Sequence, residues 1–363
     1  MTGDIWREQF GESPGYLDFA RVGPPSRAVV EESAALMGRV AAAGISTVDD
    51  LMRCDDRARA AVARLCGAVD DRVVLLPHTS QGLFQAAFSV PTGEVLVSAA
   101  EFPANTYPWA RAEQAGRLTV RWLRAPRVTP EVVVAALTPS TTVVSVSAVD
   151  FRTGYRTDLG ALREVVGDRL LVVDGIQGVG VVDEPWEVAD VLVCGGQKWL
   201  RAGWGTAFAV LSERALERMD PVISGWTGAR DPGVFDDEVH EAAPDARSWS
   251  VSNLSPVTAG ALARALELVE EIGPAVVIRR IAERVAEFDE VLRSAGAEIV
   301  SATDRRAGIL AFRMPGRTVE DVAAALADAE VTATVRPDQV RLSPHASTGP
   351  AAVERVRAAL AHA

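Results

Sequence analysis

Two stretches of the sequence decide the fold. Residues 170–177 read Leu-Leu-Val-Val-Asp-Gly-Ile-Gln, and residues 191–198 read Val-Leu-Val-Cys-Gly-Gly-Gln-Lys. Each begins with a short, continuously apolar run and ends in glycine and polar residues. Such runs are typical of strands that are buried on both faces of a parallel sheet. Because ligands bind at the carboxyl ends of these strands, the polar residues that follow them are predicted to form a site.

Further apolar runs predict other strands of the same sheet. They begin at Val73, Glu94, Leu118, Val143 and Thr206, and helical patterns separate them. This alternation predicts an α/β fold, with a large domain on a mostly parallel sheet at residues 18–245. Long amphipathic helices, short strands and a final helix follow, and they predict a smaller α+β C-terminal domain at residues 246–363.

The composition is that of a packed globular protein with an acidic surface. Of the 363 residues, 48% are hydrophobic and 24% are charged, and the formal net charge is −12. This charge repels phosphate backbones and anionic lipids, so neither nucleic acid nor a membrane is an expected partner. Cys54, Cys66 and Cys194 lack disulfide or metal-ligand spacing, so no metal site is expected. Unpaired cysteines and the lack of a targeting pattern predict a cytoplasmic protein.

Lys198 is the only lysine among the 37 Lys and Arg residues of the chain. Arginine can replace lysine as a surface charge, but it does not lose its proton at working pH. It therefore cannot serve as an amine nucleophile, whereas lysine can. A position that stays lysine in so arginine-rich a chain is a candidate for covalent chemistry.

The polar residues at the predicted strand ends suit one cofactor. They are Asp174, Gln177, Lys198 and the hydroxyl pair Thr79 and Ser80. In pyridoxal phosphate enzymes a lysine amine binds the cofactor aldehyde, and a carboxylate keeps the ring nitrogen protonated. Hydroxyls and backbone N–H groups at a helix start bind the phosphate. The set therefore predicts pyridoxal 5'-phosphate as the cofactor.

Taken one at a time, these residues have ordinary explanations. Asp174 alone, or Thr79 with Ser80, would more often cap a helix. Phe102 would by default be a core residue, and Arg341 would be part of a surface ion pair. Only their combination with Lys198 favours a site.

As an ordered set, the motifs resemble the class V aminotransferase family of fold-type I pyridoxal phosphate enzymes. That family includes cysteine desulfurases, selenocysteine lyases and kynureninases. The motifs are Tyr16-Leu-Asp-Phe-Ala, Thr79-Ser80, Glu101-Phe-Pro-Ala-Asn, Val173-Asp-Gly-Ile-Gln, Gly195-Gly-Gln-Lys-Trp and Val340-Arg-Leu-Ser-Pro-His. The resemblance covers nearly the whole chain. It implies the fold-type I PLP-dependent transferase fold and a homodimer.

The resemblance also implies a role for each matching residue. Lys198 would hold the cofactor and then act as base and acid at the α carbon of the substrate. The cofactor would further contact Asp174 at the ring nitrogen, Gln177 at the ring hydroxyl, Phe102 on the ring face, and Thr79, Ser80 and Gln197 at the phosphate. Arg341 would bind the carboxylate of a small amino-acid substrate, which suits its planar fork.

One departure from the cysteine desulfurases bears on the reaction. Those enzymes carry a nucleophilic cysteine in the C-terminal domain, and this chain has no cysteine after Cys194. A carbon–sulfur lyase that works by β-elimination needs no such thiol. Among subfamilies, the chain most resembles the hercynylcysteine sulfoxide lyases of ergothioneine biosynthesis, whose expected products are ergothioneine, pyruvate and ammonia.

Several alternatives remain open at this point. Another class V activity is one: an aminotransferase, an epimerase, or a cysteine desulfurase or selenocysteine lyase-like enzyme. A non-catalytic binding or regulatory protein is an alternative of another class. A quaternary ammonium group in the substrate would suit aromatic faces, and Trp199, Trp204, Trp226 and Tyr107 lie in or near the motifs. Core packing is the commoner role of such residues.

Overall fold

The computed structural model describes residues 3–361, with side chains from Ile5 to Ala361. The helices are α1 (Gly3–Arg7), α2 (Arg27–Ala41), α3 (Thr47–Cys66), α4 (Thr79–Ser89), α5 (Tyr107–Gln114), α6 (Pro130–Ala136), α7 (Leu159–Val166), α8 (Glu213–Arg218), α9 (Pro256–Ile272), α10 (Pro274–Ser294), α11 (Val319–Asp328) and α12 (Pro350–Ala361). The strands are β1 (Val73–Leu76), β2 (Glu94–Ser98), β3 (Thr119–Leu123), β4 (Thr141–Ser147), β5 (Leu170–Asp174), β6 (Val191–Gly195), β7 (Ala207–Leu211), β8 (Glu298–Ile299), β9 (Leu310–Arg313), β10 (Thr334–Arg336) and β11 (Gln339–Leu342).

A seven-stranded sheet forms the larger part of the molecule, with the order β1-β7-β6-β5-β4-β2-β3. Only β7 runs antiparallel to its neighbours, and the other pairs in the sheet are parallel. The predicted α/β fold with a mostly parallel sheet is therefore confirmed. All seven predicted apolar runs form strands of this sheet, and the side chains of six of these strands are mostly buried, whereas the edge strand β3 is half-exposed.

The register of the central strands brings their polar ends level. Ser147 at the end of β4 pairs with Asp174 at the end of β5, and Asp174 pairs with Val193 on β6. The chain then leaves β6 through Gly195 toward Lys198. Helix α4 begins at Thr79, three residues after β1 ends. The ends of three parallel strands and the start of one helix thus border the same edge of the sheet.

A second sheet is small and antiparallel, with the order β10-β11-β9-β8. The segment of residues 16–23 links it to the large sheet. Beside the small sheet, Leu17 N donates to Thr332 O and Leu17 O accepts from Ser343 N. At the other end of the segment, Gly23 N donates to the carbonyl oxygen of Gln197, next to Lys198. One continuous cluster of buried side chains runs through both regions. The division at residues 18–245 and 246–363 stays a prediction.

Helix α9 packs against α2 and α3. The close contact between these helices depends on small side chains, because a Cβ at Gly260 of α9 would lie 2.2 Å from Leu36 of α2. Within residues 3–361, no helix has both the length and the apolar character needed to cross a membrane. Cys54, Cys66 and Cys194 are all unpaired and buried.

Candidate functional site

Lys198 lies in the loop that follows β6 and is only partly exposed. The segment before α2 packs against this loop so closely that a Cβ at Gly23 would lie 1.9 Å from the carbonyl oxygen of Lys198. The Lys198 Nζ lies 5.6 Å from the centre of the Phe102 ring. Burial lowers the pKa of Lys198 from 10.5 to about 8, although the carboxylate of Asp174 opposes that shift. At pH 7 about a tenth of this amine is therefore unprotonated, far more than for an ordinary lysine, and the neutral form is the nucleophile.

Asp174 is the last residue of β5 and is 2% exposed. Its Oδ1 accepts a hydrogen bond of 3.0 Å from Ile176 N, and its other oxygen has no partner among the side chains from Ile5 to Ala361. Burial raises its pKa to about 6, while the Ile176 hydrogen bond and the charge of Lys198 act in the opposite direction. A buried carboxylate with an unused oxygen suits a protonated ring nitrogen, which would supply both a donor and a positive charge.

Thr79, Gln197 and Gly195 meet where α4 begins. Thr79 is 4% exposed, and its Oγ1 has no hydrogen-bond partner. A Cβ at Gly195 would lie 2.7 Å from that Oγ1 and 2.4 Å from Gln197 Oε1, so only glycine leaves this space open. Ser80 follows in the first turn of α4, where His78 accepts from Gln81 N and the backbone N–H groups of Thr79 and Ser80 have no partner within the helix. The hollow beside Gly195 therefore suits a phosphate group.

Gln177 is buried at the junction of three segments. Its Nε2 donates to Ala20 O at 2.9 Å, and its Oε1 accepts from Trp199 Nε1 at 2.7 Å. One Nε2 hydrogen remains for a ligand such as a ring hydroxyl. The predicted contact of Gln177 with the cofactor stays a prediction, and the structure adds that this residue fixes the loops on both sides of Lys198.

Phe102 and Arg341 border the site on the side of the small sheet. The Phe102 ring is 42% exposed and meets the ring of Phe151 edge-on at 5.1 Å. Arg341 is 3% exposed, and it donates to Phe151 O at 2.7 Å, to Thr334 Oγ1 at 2.8 Å and to Asp18 Oδ1 at 3.3 Å. Its Nε has no partner. Arg341 is therefore a buried ion-pair residue with donor capacity left for a substrate carboxylate.

Two charged residues of this region were missed by the sequence analysis, the partly buried Glu101 and the buried Arg201. Glu101, beside Phe102, accepts hydrogen bonds from the backbone N and the hydroxyl of Ser147, and burial raises its pKa to about 7. Arg201 donates a hydrogen bond of 2.6 Å to the Glu12 carboxylate, and its Cζ lies 3.6 Å from the centre of the Phe10 ring. Its φ of 58° is unusual for a residue with a side chain. The Glu101-Phe-Pro-Ala-Asn motif could have indicated Glu101, but only its Phe102 was assigned a role from the sequence. No motif indicated Arg201.

The aromatic residues proposed for a cation cage are dispersed. Trp199 is buried and stacks on His345, whereas Trp204 is 73% exposed. Trp226 is half-exposed and lies 6.3 Å from the ring of Phe235. Within the described side chains, no ring contact joins the three tryptophans to one another or to Tyr107.

The residues present fit pyridoxal phosphate. The unpartnered Thr79 hydroxyl and the hollow at Gly195 suit the phosphate, and the unused oxygen of Asp174 suits the ring nitrogen. Lys198 has an amine of lowered pKa beside the Phe102 ring. These are the four groups that the cofactor requires: an anion site, a carboxylate, a ring surface and an amine.

Solved structures with a similar fold include two enzymes that act on sulfur compounds. The cystine C–S lyase C-DES, in complex with cysteine persulfide, has a TM-score of 0.87 at 17% identity and covers 96% of this chain and 97% of its own. The cysteine desulfurase CsdA of Escherichia coli has a TM-score of 0.84 at 19% identity and covers 100% of this chain and 98% of its own. At such identities the likeness shows the shared fold, which is the predicted fold-type I PLP-dependent transferase fold.

Curated relatives are more similar in sequence. A kynureninase of Deinococcus radiodurans is 30% identical over 233 residues, which are 61% of this chain. The match spans 55% of that kynureninase, so the chain covers about half the length of this relative. The uncharacterized aminotransferase YcbU of Bacillus subtilis is 27% identical over 298 residues, which are 79% of this chain and 78% of YcbU.

The family model for class V aminotransferases matches residues 16–338, which include every predicted site residue except Arg341. Class V aminotransferases use pyridoxal phosphate, which confirms the cofactor expected from the motifs. On the match of its sequence and the fit of its site, the chain belongs to the class V aminotransferase family.

Proposed function

We propose that the protein is a pyridoxal phosphate-dependent carbon–sulfur lyase that cleaves a cysteine S-conjugate by β-elimination. The observation that carries this proposal is the state of the cysteines. All three are buried, and no cysteine follows Cys194. A desulfurase that transfers sulfur to its own thiol needs an exposed, acidic cysteine.

The thiols also have the wrong electrostatics for sulfur transfer. Burial raises the pKa of Cys66 to about 12 and raises the pKa values of Cys54 and Cys194. They are therefore protonated and weakly nucleophilic at neutral pH. A reaction in which the sulfur leaves with its own substituent avoids the need for an acceptor thiol. A cystine C–S lyase with the same fold supports this reaction class.

The residues of the site have distinct tasks in this reaction. The bound cofactor supplies an electron sink for the α carbon of the substrate. Arg341 binds the α-carboxylate and thereby orients the Cα–H bond toward Lys198. The Lys198 amine accepts the α proton, which its lowered pKa permits near neutral pH. Asp174 stabilises positive charge on the ring nitrogen side of the site.

The bond changes define the products. As the α proton leaves, the Cβ–S bond breaks and its electron pair departs with sulfur. Addition of one water to the remaining three-carbon fragment yields pyruvate and ammonia. For hercynylcysteine sulfoxide, our candidate substrate, the sulfur group departs as a sulfenate. Conversion of that sulfenate to the thiol ergothioneine needs two further electrons from a separate reductant.

Pyruvate release tests the proposal. The holoenzyme is mixed with hercynylcysteine sulfoxide without any added keto acid, and pyruvate is measured by coupling to lactate dehydrogenase. We expect one pyruvate and one ammonia for each substrate consumed. Lys198→Ala should abolish both products and the visible absorbance of the bound cofactor. Arg279→Ala, which changes an exposed arginine of α10, should leave both unchanged.

Other outcomes of this assay identify the alternatives. Turnover only with an added keto acid would indicate an aminotransferase, and alanine formation from cysteine would indicate a desulfurase. The kynureninase match makes L-kynurenine a second substrate to test, with anthranilate fluorescence as its readout. Bound cofactor with no turnover of any of these compounds would support a non-catalytic binding or regulatory protein. Each of these results would overturn the lyase proposal.

We also propose a cytoplasmic homodimer with domains at residues 18–245 and 246–363. Exposed apolar side chains support a second subunit. Trp204 is 73% exposed, Phe235 is 84% exposed and Trp226 is 51% exposed. Large exposed aromatic residues often mark interaction surfaces. Light scattering after size-exclusion chromatography should give twice the chain mass of 38.5 kDa, and a monomer would contradict the proposal.

A further inference from the structure

A group of arginines surrounds Phe151, next to the proposed substrate site. The Cζ of Arg336 lies 4.9 Å from the centre of the Phe151 ring, and the Cζ of Arg152 lies 5.6 Å from it. Arg341 donates to the Phe151 carbonyl oxygen. Phe151 also meets the Phe102 ring edge-on, and the Lys198 Nζ lies 5.6 Å from the centre of the Phe102 ring, so two aromatic rings connect these guanidinium groups to the reacting lysine.

The register of the small sheet explains why two of these arginines share one face. Thr334 pairs with Arg341, and Arg336 pairs with Gln339. Residues two apart on a strand point to the same face, so Arg336 and Arg341 are diagonal neighbours across the β10–β11 pair. Gln339, on the same face, donates to Arg152 O at 3.0 Å. This face therefore looks toward the loop that carries Phe151.

The acidic residues of this region form ion pairs with arginines other than Arg336 and Arg21. Asp18 binds Arg341 at 3.3 Å, Asp150 binds Arg152 at 2.8 Å, and Asp338 binds Arg313 at 2.7 Å. Among the described side chains, no carboxylate lies within ion-pair distance of Arg336 or of Arg21. The buried Nε atoms of Arg336 and Arg341 have no hydrogen-bond partner.

The positive charges of Arg336 and Arg21 lie close enough to Arg341 to affect its pKa. Burial is the main reason that the pKa of Arg341 is lowered to about 10; repulsion from Arg336 and Arg21 contributes to this shift, and Asp18 opposes it. The guanidinium groups of Arg336 and Arg21 have no ion-pair partner among the described side chains, so the surroundings of the buried Arg341 are locally positive in a protein whose net charge is −12, and a local positive charge attracts anions. One substrate carboxylate on Arg341 would leave Arg336 and Arg21 unpaired.

We propose that Arg336 forms a second anion subsite, with Arg21 adding positive charge from the segment that carries Asp18, so that the enzyme selects cysteine conjugates whose sulfur substituent carries its own carboxylate. This inference rests on the proposed lyase function, but binding of the second carboxylate can be measured without any reaction. Diagonal neighbours across two strands are about 7–8 Å apart. A substrate with one carboxylate at the α carbon and another a few bonds beyond sulfur spans that separation.

A pair of unreactive ligands tests the subsite. The first ligand is the diacid 3-(carboxymethylthio)propanoate, and the second is the same compound with the carboxymethyl carboxylate, which lies beyond sulfur, converted to an amide. Both lack an amine group that could form an imine, so neither can react with the cofactor. Their affinities for the holoenzyme are measured by isothermal titration calorimetry at pH 8. A charge-assisted pair at a partly exposed arginine should make the diacid bind about tenfold tighter than the amide.

Variants assign the preference to its residues. Arg336→Gln should bring the two affinities within about twofold of each other, as expected when the charged partner is lost. Arg21→Gln changes an exposed residue and should reduce the preference by about two- to threefold. Arg279→Gln removes the same charge from an exposed helical position and should leave the preference unchanged. Equal thermal unfolding of the variants confirms that each is folded.

Three results would overturn the subsite: equal binding of both ligands to the wild type, an undiminished preference in both subsite variants, or an equal loss in Arg279→Gln. Failure of the lyase proposal gives a different pattern. In that case hercynylcysteine sulfoxide yields no pyruvate, while the diacid preference and its dependence on Arg336 persist.

Discussion

The single lysine allows the electrostatics of the site to be measured without background. Lys198 is the only side-chain amine of the chain, so acylation by acetic anhydride followed by mass spectrometry reports on it alone, once the peptide with the terminal amine is set aside. We expect the acylation rate of cofactor-free protein to titrate with a midpoint near 8 rather than 10.5. The side chain is partly exposed, so a small reagent reaches it.

The expected magnitude follows from the two pKa values. At pH 7 an amine with a pKa of about 8 is about 9% neutral, whereas one with a pKa of 10.5 is about 0.03% neutral. The shift therefore raises the reactive fraction about 300-fold, which corresponds to about 3 kcal/mol. Burial is the largest cause, and the neighbouring charges modify it in opposite directions.

Two variants separate these charge effects. Asp174→Asn removes a carboxylate that favours the ammonium form, so the midpoint should fall below that of the wild type. Arg341→Gln removes a repelling cation, so the midpoint should rise. Arg279→Gln, at an exposed position on α10, should not move it. A wild-type midpoint above pH 10, or shifts of the two site variants in the same direction, would refute the reasoning.

Three further predictions concern cofactor binding and stability. Thr79→Val removes the unpartnered hydroxyl beside Gly195 and should weaken pyridoxal phosphate binding about tenfold in a cofactor titration, while the free energy of unfolding of the cofactor-free protein should rise by about 1–3 kcal/mol because a buried hydroxyl without a partner is lost. Glu12→Gln leaves the buried Arg201 without its counter-ion and should lower the free energy of unfolding in urea by about 3 kcal/mol, against at most about 1 kcal/mol for Glu270→Gln in the more exposed pair with Arg64. The pKa of Glu101 rises from 4.5 to about 7 on folding, so the unfolded state loses this proton first and the free energy of unfolding falls as pH rises between those values. Glu101→Gln has no proton to lose at this position, so its free energy of unfolding should not show this fall. In the cofactor-free protein, the free energy of unfolding of the variant minus that of the wild type should therefore be about 1–3 kcal/mol larger at pH 7 than at pH 5. An equal difference at both pH values would contradict the raised pKa of Glu101.

Much of the fold could be predicted because it depends on local patterns. Strands β5 and β6 are continuously apolar since both faces of the sheet are covered, and the polar residues begin where each strand ends. The chemistry of Lys198 was likewise visible, because no other lysine competes with it. These signals need no knowledge of which distant segments meet.

The rest depends on contacts between residues that are far apart in sequence. Arg201 binds Glu12, 189 positions away, in a backbone conformation that no sequence rule assigns to arginine. Arg341 binds Asp18, 323 positions away, so its burial could not be read from its neighbours. The Glu101 carboxylate meets Ser147 only after β4 takes its place in the sheet. Position in the chain gave no sign of these pairs.

The same site residues that weaken the cofactor-free protein favour cofactor binding. Thr79 buries a hydroxyl without a partner, which costs about 1–3 kcal/mol, and burial shifts the pKa values of Asp174 and Lys198 against their charged forms. One ligand with an anion, a protonated ring and an aldehyde would satisfy all three at once. Cofactor at 100 times its dissociation constant would then stabilise the fold by about 2.7 kcal/mol through mass action. Because each of the three groups needs a different part of that ligand, we expect a phosphate ion alone to recover only the contribution of Thr79, and equal stabilisation by phosphate and by pyridoxal phosphate would contradict a single shared site.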